Sequence, residues 1–492
     1  MPMDQRYKDV KAVALDWFRD EDGNDISVVE GLSLGTTLSC VLWQGLSAIC
    51  HYVHIYGSSP SEDGVVHIPS DASRLRREVA SHFGRVSCDA LPTGELHLDE
   101  QFLTMHNLQV PSSATLVRLV QTPLKSLIRR RTSVYITDWV TAKAARSDSN
   151  GIVLYRRSLF KSAIPHTTKH DIRRAEHCFP LTLDDVFTLD RLYECIERNN
   201  LRFTNAECNL FHEYARRIYV EIRPALVKAT AQFLNLLTFY RPRNVFLPSD
   251  GFETWNIIYQ LCKTSGIVTH MCVDGYMCVP FWPAQKVAAG DEWLVDRACA
   301  YGQAQKSHIE RLGFPAERID VISPPFLEYL QGKEQGINEF DAIVLTWIPY
   351  TVNPVADYSS PIRSLETVLK VLTDRGIRRI AVKVKSDGEV TYVKRVAAGL
   401  GINIEVLTGR FYEHVRRAPM FVGGLSTALA EVTAAGGRYL VYEPFENGYP
   451  DDLIAQSVVV SGESIARTEH DLHRLIESGA TSWIGDPSEF RA

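Results

Sequence analysis

The sequence lacks the marks of a secreted, repetitive or nucleic-acid-coating protein. Residues 1–25 mix charged and apolar side chains, so they do not have the apolar core of a signal peptide. No internal repeat, low-complexity tract or proline-rich linker interrupts the chain. The net charge of −6 argues against a protein whose main partner is nucleic acid. We therefore expect a cytoplasmic protein, with room for peripheral contact with a membrane or with other proteins.

Paired-cysteine motifs are also missing. The ten cysteines are scattered from Cys40 to Cys299 and include no CxxC. Such scatter is typical of small buried hydrophobic residues in a reducing compartment, and a disulfide framework or zinc site is the alternative. We expect no metal and no cofactor.

Charged residues are absent between Glu30 and Glu62, a stretch long enough to cross a bilayer. Serine, threonine, glutamine, histidine and glycine dilute this stretch too far for a typical spanning helix. We instead predict a glycine-containing loop, a buried helix and then a strand over Cys50–Tyr56.

The length of 492 residues predicts at least two domains. In the N-terminal half, residues 133–137 and 151–155 are predicted strands and Asn205–Tyr240 a long helix. A strand at 244–248, a helix at 252–264 and a strand at 267–272 then form a βαβ unit, which implies parallel pairing.

The last third of the chain alternates strands and helices regularly. This alternation predicts a doubly wound α/β sheet, with ligands at the carboxyl ends of its strands. The predicted strands are 341–346, 377–385, 403–406, 420–422 and 438–442. The predicted helices are 360–374, 390–400, 411–417 and 426–435.

A glycine turn lies at the end of one of these strands. Gly423 and Gly424 allow a sharp turn and close approach of a ligand. Ser426 and Thr427 then open a helix whose free N–H groups and dipole favour phosphate. Glu431 follows one turn later, where its carboxylate could accept hydrogen bonds from ribose hydroxyls. A ligand-free Gly turn with a Ser/Thr cap is the alternative interpretation.

Two lysines lie at the end of a predicted central strand. Lys383 and Lys385 are separated by one residue, so within a strand they share a face. We expect them to supply positive charge for a leaving phosphate. A solvated pair at the sheet edge is the alternative.

Three stretches resemble GT-B glycosyltransferases of bacterial capsule and lipopolysaccharide synthesis, across roughly residues 243–465. The segment 301–324 is similar to the connector between their two domains. Val382–Lys385 stands where they often carry Lys-x-His-Pro, although Ser386 follows here. Residues 423–431, followed by Tyr439–Glu443, look like their nucleotide-binding motif.

The resemblance implies the GT-B fold, an α/β class in which two Rossmann-like doubly wound domains face each other across a cleft. The acceptor-side domain with its connector would span residues 1–325, and the donor-binding domain would span 340–465. A helical segment, 466–492, would follow and could cross back to the N-terminal domain.

The function implied is transfer of a sugar from a nucleotide-sugar donor to a glycan or lipid-linked glycan acceptor. We favour a CMP-activated acidic sugar such as Kdo, with UDP- or GDP-sugars as the other donors. A GT-B-fold sugar-nucleotide epimerase and a non-catalytic scaffold are the alternatives.

Catalysis would then need a carboxylate or imidazole at the edge of the first domain. Asp250, which follows a buried strand, is the first candidate for base or nucleophile, and a helix N-cap is its alternative role. His270 and Asp274 lie at the end of the next strand. Gly35 and Asp138 are weaker candidates on the acceptor side.

Overall fold

The computed structural model describes most of the chain in fourteen stretches. These are residues 3–58, 64–69, 74–89, 133–137, 151–155, 169–247, 253–272, 293–311, 313–322, 330, 338–347, 359–385, 389–444 and 462–482.

Within these residues the chain forms twelve α-helices. They are α1 (Met3–Asp16), α2 (Leu34–Ser58), α3 (Arg74–Ser81), α4 (Lys169–Glu176), α5 (Leu189–Arg198), α6 (Asn205–Tyr240), α7 (Glu253–Thr264), α8 (Gln303–Arg311), α9 (Ser359–Asp374), α10 (Val390–Gly399), α11 (Ala428–Ala434) and α12 (Glu469–Ser478).

The long helix α6 illustrates how the local sequence sets an element. Thr204 caps its start, accepting a hydrogen bond from the Glu207 N–H, while the Glu207 carboxylate accepts one from the Thr204 N–H. This reciprocal pair satisfies two donors that the first helical turn leaves open. The helix continues through Pro224 and ends at Arg241 in a left-handed conformation. The predicted boundaries, 205–240, are confirmed.

The first large sheet has six parallel strands. They are β5 (Ser133–Thr137), β6 (Gly151–Tyr155), β7 (Asn244–Leu247), β8 (Val268–Cys272), β9 (Arg297–Tyr301) and β10 (Ile319–Ile322). Their spatial order is β10-β9-β8-β7-β5-β6, and every neighbouring pair is parallel. The predicted strands at 133–137 and 151–155 and the predicted βαβ unit are confirmed.

Four shorter strands precede this sheet in two separate pairs. The strands β1 (Val28–Val29) and β2 (Leu32–Ser33) are antiparallel, whereas β3 (Val65–Pro69) and β4 (Arg85–Asp89) are parallel.

The second large sheet also has six parallel strands. They are β11 (Ala342–Leu345), β12 (Ile380–Lys383), β13 (Ile404–Leu407), β14 (Met420–Gly423), β15 (Arg438–Tyr442) and β16 (Ile465–Ala466). Their order is β13-β12-β11-β14-β15-β16, which is the Rossmann order 3-2-1-4-5-6. Two doubly wound parallel sheets in one chain confirm the predicted α/β class with two Rossmann-like units.

The prediction of a strand over Cys50–Tyr56 is wrong. Those residues continue α2, which runs unbroken from Leu34 to Ser58 and packs on α1, α6 and α7. Ile49, Tyr52 and Tyr56 are all buried, a spacing of three to four residues that belongs to a helix face. The β-branched and aromatic residues suggested a strand, but the buried positions recur with the spacing of a helix. No helix in the described part of the chain is long and apolar enough to cross a membrane.

The C-terminal segment packs on the second sheet. The helix α12 contacts α9, and its Leu472 and Leu475 are buried in the same hydrophobic cluster as the outer face of β11 and β12. Arg438 on β15 also donates to the carbonyl of Ile476 at 3.2 Å. Through residue 482 the segment therefore belongs to the second domain and does not cross back, because its apolar face is buried there.

Candidate active site

The carboxyl edge of the second sheet brings several predicted binding residues together. Lys383 ends β12 and is paired with Leu345, the last residue of β11. On the other side of β11, Gly423 ends β14. It comes one position after Val422, which is paired with Val344 of β11. Because neighbouring strands lie about 4.8 Å apart, Lys383 and Gly423 are separated by roughly 10 Å across β11.

This edge is the switch point of the sheet. The strand order reverses between β11 and β14, so the connections leaving these strands turn to opposite sides. The crevice opened by such a reversal is where doubly wound sheets bind their ligands.

Close packing explains the two glycines at the end of β14. A Cβ on Gly423 would lie 2.6 Å from the Tyr439 hydroxyl oxygen and 2.9 Å from Cβ of Leu345. A Cβ on Gly424 would lie 2.5 Å from Oε1 of Glu443 and 3.0 Å from Cδ1 of Trp347. The turn therefore requires glycine for steric reasons that operate without any ligand.

Glu443 is a buried carboxylate at this turn. It follows β15, and its Oε1 accepts a hydrogen bond of 2.7 Å from the Leu425 N–H. Sequence reasoning noted Glu443 only as the end of a motif. The available signal was an acidic residue that directly follows the strand beside the glycine turn. Its negative charge makes the turn less attractive to a second anion nearby.

The helix after the turn begins two residues later than predicted. Helix α11 starts at Ala428, its N-cap is Thr427, and the Thr427 side chain does not cap it. The exposed Ser426 hydroxyl instead accepts a hydrogen bond of 3.3 Å from the Ala428 N–H.

Glu431 lies one turn into α11, where its N–H bonds the Thr427 carbonyl at 3.3 Å. Burial raises the pKa of its carboxyl from 4.5 to about 7. Among the described residues its carboxylate makes no hydrogen bond and no ion pair. Glu431 is only partly buried, so its carboxyl group is accessible to water or to a ligand.

The two lysines occupy different environments. Lys383 is buried and donates to the Val384 carbonyl, whereas Lys385 is exposed beyond the end of β12. The Lys385 N–H donates to Oε2 of Glu389 at 3.1 Å, and the same carboxylate accepts from the Thr346 hydroxyl. The strand thus ends before Lys385, and Glu389 holds the turn that follows.

His414 also belongs to this edge and was not anticipated. Its Nε2 lies 2.7 Å from the Thr408 carbonyl oxygen, and Arg417 approaches its Nδ1 at 3.1 Å. Burial, with a contribution from the charge of Lys383, lowers its pKa below 6.5. Sequence gave no signal for His414, because only the fold brings it towards Lys383.

The candidates in the first domain are only partly described. Asp138, Asp250 and Asp274 lie outside the described residues. His270 lies on β8, two residues before the strand ends, and stacks on Phe246 with ring centroids 4.2 Å apart.

Gly35 lies in the first turn of α2, not at a strand end of the large sheet. A Cβ there would come within 2.4 Å of three atoms of Phe18, so the glycine permits close packing between α2 and the residues after α1.

No protein-family model and no curated protein sequence matches the chain. The solved structures that resemble it include the UDP-GlcNAc 2-epimerase from Neisseria meningitidis bound to UDP-GlcNAc, at 9% identity and a TM-score of 0.42, covering 70% of this chain and 90% of that one. MurG from Acinetobacter baumannii is 10% identical with a TM-score of 0.36, covering 71% of this chain and 91% of the other. An O-GlcNAc transferase mutant from Thermobaculum terrenum is 12% identical with a TM-score of 0.31, covering 93% and 74%.

Proposed function

We propose that the chain is a GT-B glycosyltransferase that binds a nucleotide-sugar donor at the carboxyl edge of its second sheet. The observation that carries this proposal is the carboxyl group of Glu431, which has no partner among the described residues. It lies one turn after the Gly423–Thr427 turn, at the switch point of a sheet with the Rossmann order. A ribose diol would give Glu431 hydrogen bonds that no described residue supplies.

The leaving nucleotide would be stabilised by the charge and dipoles of the same edge. Lys385 is exposed where β12 ends, and Ser426 is exposed in the turn after β14. Positive charge and prepositioned N–H groups stabilise the negative charge that develops on a departing phosphate.

The donor that we favour is a CMP-activated acidic sugar such as Kdo. A CMP-sugar carries one phosphate, whereas UDP- and GDP-sugars carry two. The carboxylate of Glu443 already occupies the Leu425 N–H, so a second phosphate at this turn would meet like charge and one fewer donor. Lys383 and Lys385 lie where they could balance the sugar carboxylate as well as the phosphate.

The acceptor side belongs in this proposal to the first domain. Asp250 would act as base or nucleophile, with Asp274 and His270 as further candidates, and the acceptor would be a glycan or a lipid-linked glycan in surface-polysaccharide synthesis. Peripheral contact with the cytoplasmic face of the membrane would accompany a lipid-linked acceptor.

Isothermal titration of the full chain with CMP, UDP and GDP tests the donor site. We expect CMP to bind the wild type and to bind the Glu431→Gln variant about 10- to 100-fold more weakly, the usual effect of losing a charged hydrogen-bond acceptor. Glu366→Gln, on helix α9 of the same domain, is the matched control and should bind like the wild type. If none of the three nucleotides binds the wild type, the proposal fails.

Turnover of labelled CMP-Kdo, UDP-hexose and GDP-hexose separates the donors and the reaction types. Transfer from UDP-hexose with none from CMP-Kdo would refute the donor assignment but keep the glycosyltransferase. Release of UDP with an epimerised sugar, in the absence of any acceptor, would instead identify an epimerase. Full transfer by Asp250→Asn would remove Asp250 from catalysis.

A further inference from the structure

A cluster of potential metal ligands lies on one face of the first sheet. It is built on the neighbouring strands β8, β9 and β10. Cys299 is paired with Cys272 on one side and with Asp320 on the other, and paired residues of parallel strands point to the same face. His270 lies two residues before Cys272, so it shares that face.

The donor atoms are close enough to share an ion. A ring nitrogen of His270, Sγ of Cys299 and a carboxylate oxygen of Asp320 all lie within 4.8 Å of one another. In a tetrahedral zinc site the ligand atoms are about 3.5 Å apart, given bonds of about 2.0–2.3 Å. Small side-chain rotations, without a change in the strands, would close the remaining distance.

The imidazole of His270 is already oriented for a ligand. Its Nε2 lies 3.2 Å from Oδ1 of Asn244, and its ring stacks on Phe246. Its Nδ1 is buried and has no hydrogen-bond partner among the described residues. A metal-binding histidine commonly has this arrangement, in which a second polar group fixes one nitrogen and leaves the other for the ion.

The other two donors are held in place as well. Arg297 donates to both oxygens of Asp320, at 2.8 and 2.5 Å, which orients the carboxylate while leaving lone pairs for an ion. Cys299 is buried and lies beside Cys272, its partner in the pairing of β8 with β9.

We propose that His270, Cys299 and Asp320 form a binding site for Zn²⁺. One sulfur, one nitrogen and one oxygen suit this borderline-soft cation, whereas Mg²⁺ and Ca²⁺ prefer oxygen ligands alone. These three ligands lie on β8, β9 and β10, so an ion with water in its fourth position would fasten the three strands together. The partly exposed Asp320 and Arg297 leave a route for the ion to enter.

The cysteine spacing predicted a protein without a metal site, and this proposed site departs from that prediction. It is independent of the proposed donor site, because nucleotide binding at Glu431 involves the other sheet. A zinc-bound His270 could not act as a general base, so this site leaves that role to Asp250 or Asp274. Either proposal can therefore fail while the other stands.

The first test is the metal content of the full-length wild-type chain, purified without chelator and measured by mass spectrometry of the elements. We expect about one zinc per chain. After zinc removal, titration with Co²⁺ should produce the thiolate-to-cobalt charge-transfer band in the near ultraviolet. Wild-type protein that binds neither zinc nor cobalt at micromolar concentration would overturn the proposal, whatever the variants do.

Variants then assign the ligands. Cys299→Ser and His270→Asn should each reduce zinc to well below one equivalent, and Cys299→Ser should weaken the cobalt band. Cys262→Ser is the matched control, since Cys262 is a fully buried cysteine of α7 outside the cluster, and it should keep the full equivalent.

Two further results would contradict the site. Zinc retained at one equivalent in the Cys272→Ser/Cys299→Ser double variant would mean that the ion binds elsewhere. Peptide mapping that finds a Cys272–Cys299 disulfide in the wild type would remove the Cys299 thiolate ligand. If the variants do not fold, thermal unfolding of the wild type tests zinc binding instead. Its midpoint should rise with added zinc and fall with chelator.

Discussion

Replacing Glu431 by glutamine should stabilise the protein while weakening its binding of nucleotide. Burial raises the pKa of this carboxyl from 4.5 to about 7, so the ionised form is less stable in the folded chain than in the unfolded one. A displacement of that size corresponds to about 3 kcal/mol at a pH where the group is ionised in both states. Glutamine has nearly the same shape and carries no charge.

The pH dependence follows from the sign of this pKa change. Well below pH 4.5 the carboxyl is protonated in both states, so wild type and variant should be equally stable. As the pH rises from 4.5 to about 7, the unfolded state loses its proton first, and the wild type loses stability relative to the variant. Above about pH 7 the difference should stay constant.

Thermal unfolding of wild type, Glu431→Gln and the control Glu366→Gln at pH 4 and pH 8 would measure this difference. For a domain of this size about 3 kcal/mol corresponds to a shift on the order of 5–10 °C. The Glu431→Gln midpoint should exceed the wild-type midpoint at pH 8 and equal it at pH 4. A shift of the same size at both pH values, or a lower midpoint at pH 8, would refute the reasoning.

The same variant connects stability with function. A carboxylate that costs the folded protein stability is expected to persist only where a ligand uses it. Glu431→Gln should therefore be more stable at pH 8 and bind CMP more weakly. A variant that is more stable and binds CMP with unchanged affinity would show that Glu431 does not contact the nucleotide.

Three further changes test other parts of the structure. Gly424→Ala should destabilise the second domain by about 1–3 kcal/mol, because the new Cβ would lie 2.5 Å from the Glu443 carboxylate; an unchanged thermal midpoint would contradict the crowded turn. Thr204→Ala should lower the unfolding free energy of the first domain by about 1 kcal/mol, because the capping pair with Glu207 is lost. Urea unfolding measures this change, and an unchanged unfolding free energy would show that the cap contributes little. Lys385→Ala should weaken CMP binding most at low salt, since the contact is exposed and screened, whereas Lys370→Ala on α9 should not; salt-independent weakening would argue against a charge contact.

The sequence predicted the second domain well because its local signals agree. Short apolar runs such as Ala342–Leu345 and Met420–Gly423 alternate with amphipathic helices, and the two periods are easy to separate. Strand order was not predictable from these signals. The neighbouring positions of β11 and β14, which create the switch point, result from long-range pairing that leaves no local pattern.

Where local signals conflicted, the prediction failed. Residues 50–56 are rich in residues that favour strands, yet they belong to α2 because burial against α1, α6 and α7 recurs with helical spacing. The expectation that Lys383 and Lys385 share a face assumed a longer strand. It depended on where β12 ends, and strand ends are the least predictable boundaries.

In the candidate sites, residues that are close in sequence could be predicted, whereas residues that only the fold brings together could not. Gly423, Ser426 and Glu431 are close in sequence, so a motif could find them. Glu389, Glu443 and His414 come from separate connections, and only the fold places them along the same sheet edge. The three proposed zinc ligands, His270, Cys299 and Asp320, lie on three strands, and their spacing matches no metal-binding motif.

The two carboxylates nearest the glycine turn have opposite relations to a ligand. Glu443 is bonded to the Leu425 N–H, so the folded chain already satisfies it, and it adds a fixed negative charge where phosphate would bind. Glu431 is partly buried and bonded to no described residue, so a ligand with hydroxyl donors could satisfy it. A ligand suited to both carboxylates carries hydroxyl donors for Glu431 and little negative charge near Glu443. On this reasoning we propose one phosphate at this turn, as in a CMP-linked donor, rather than two.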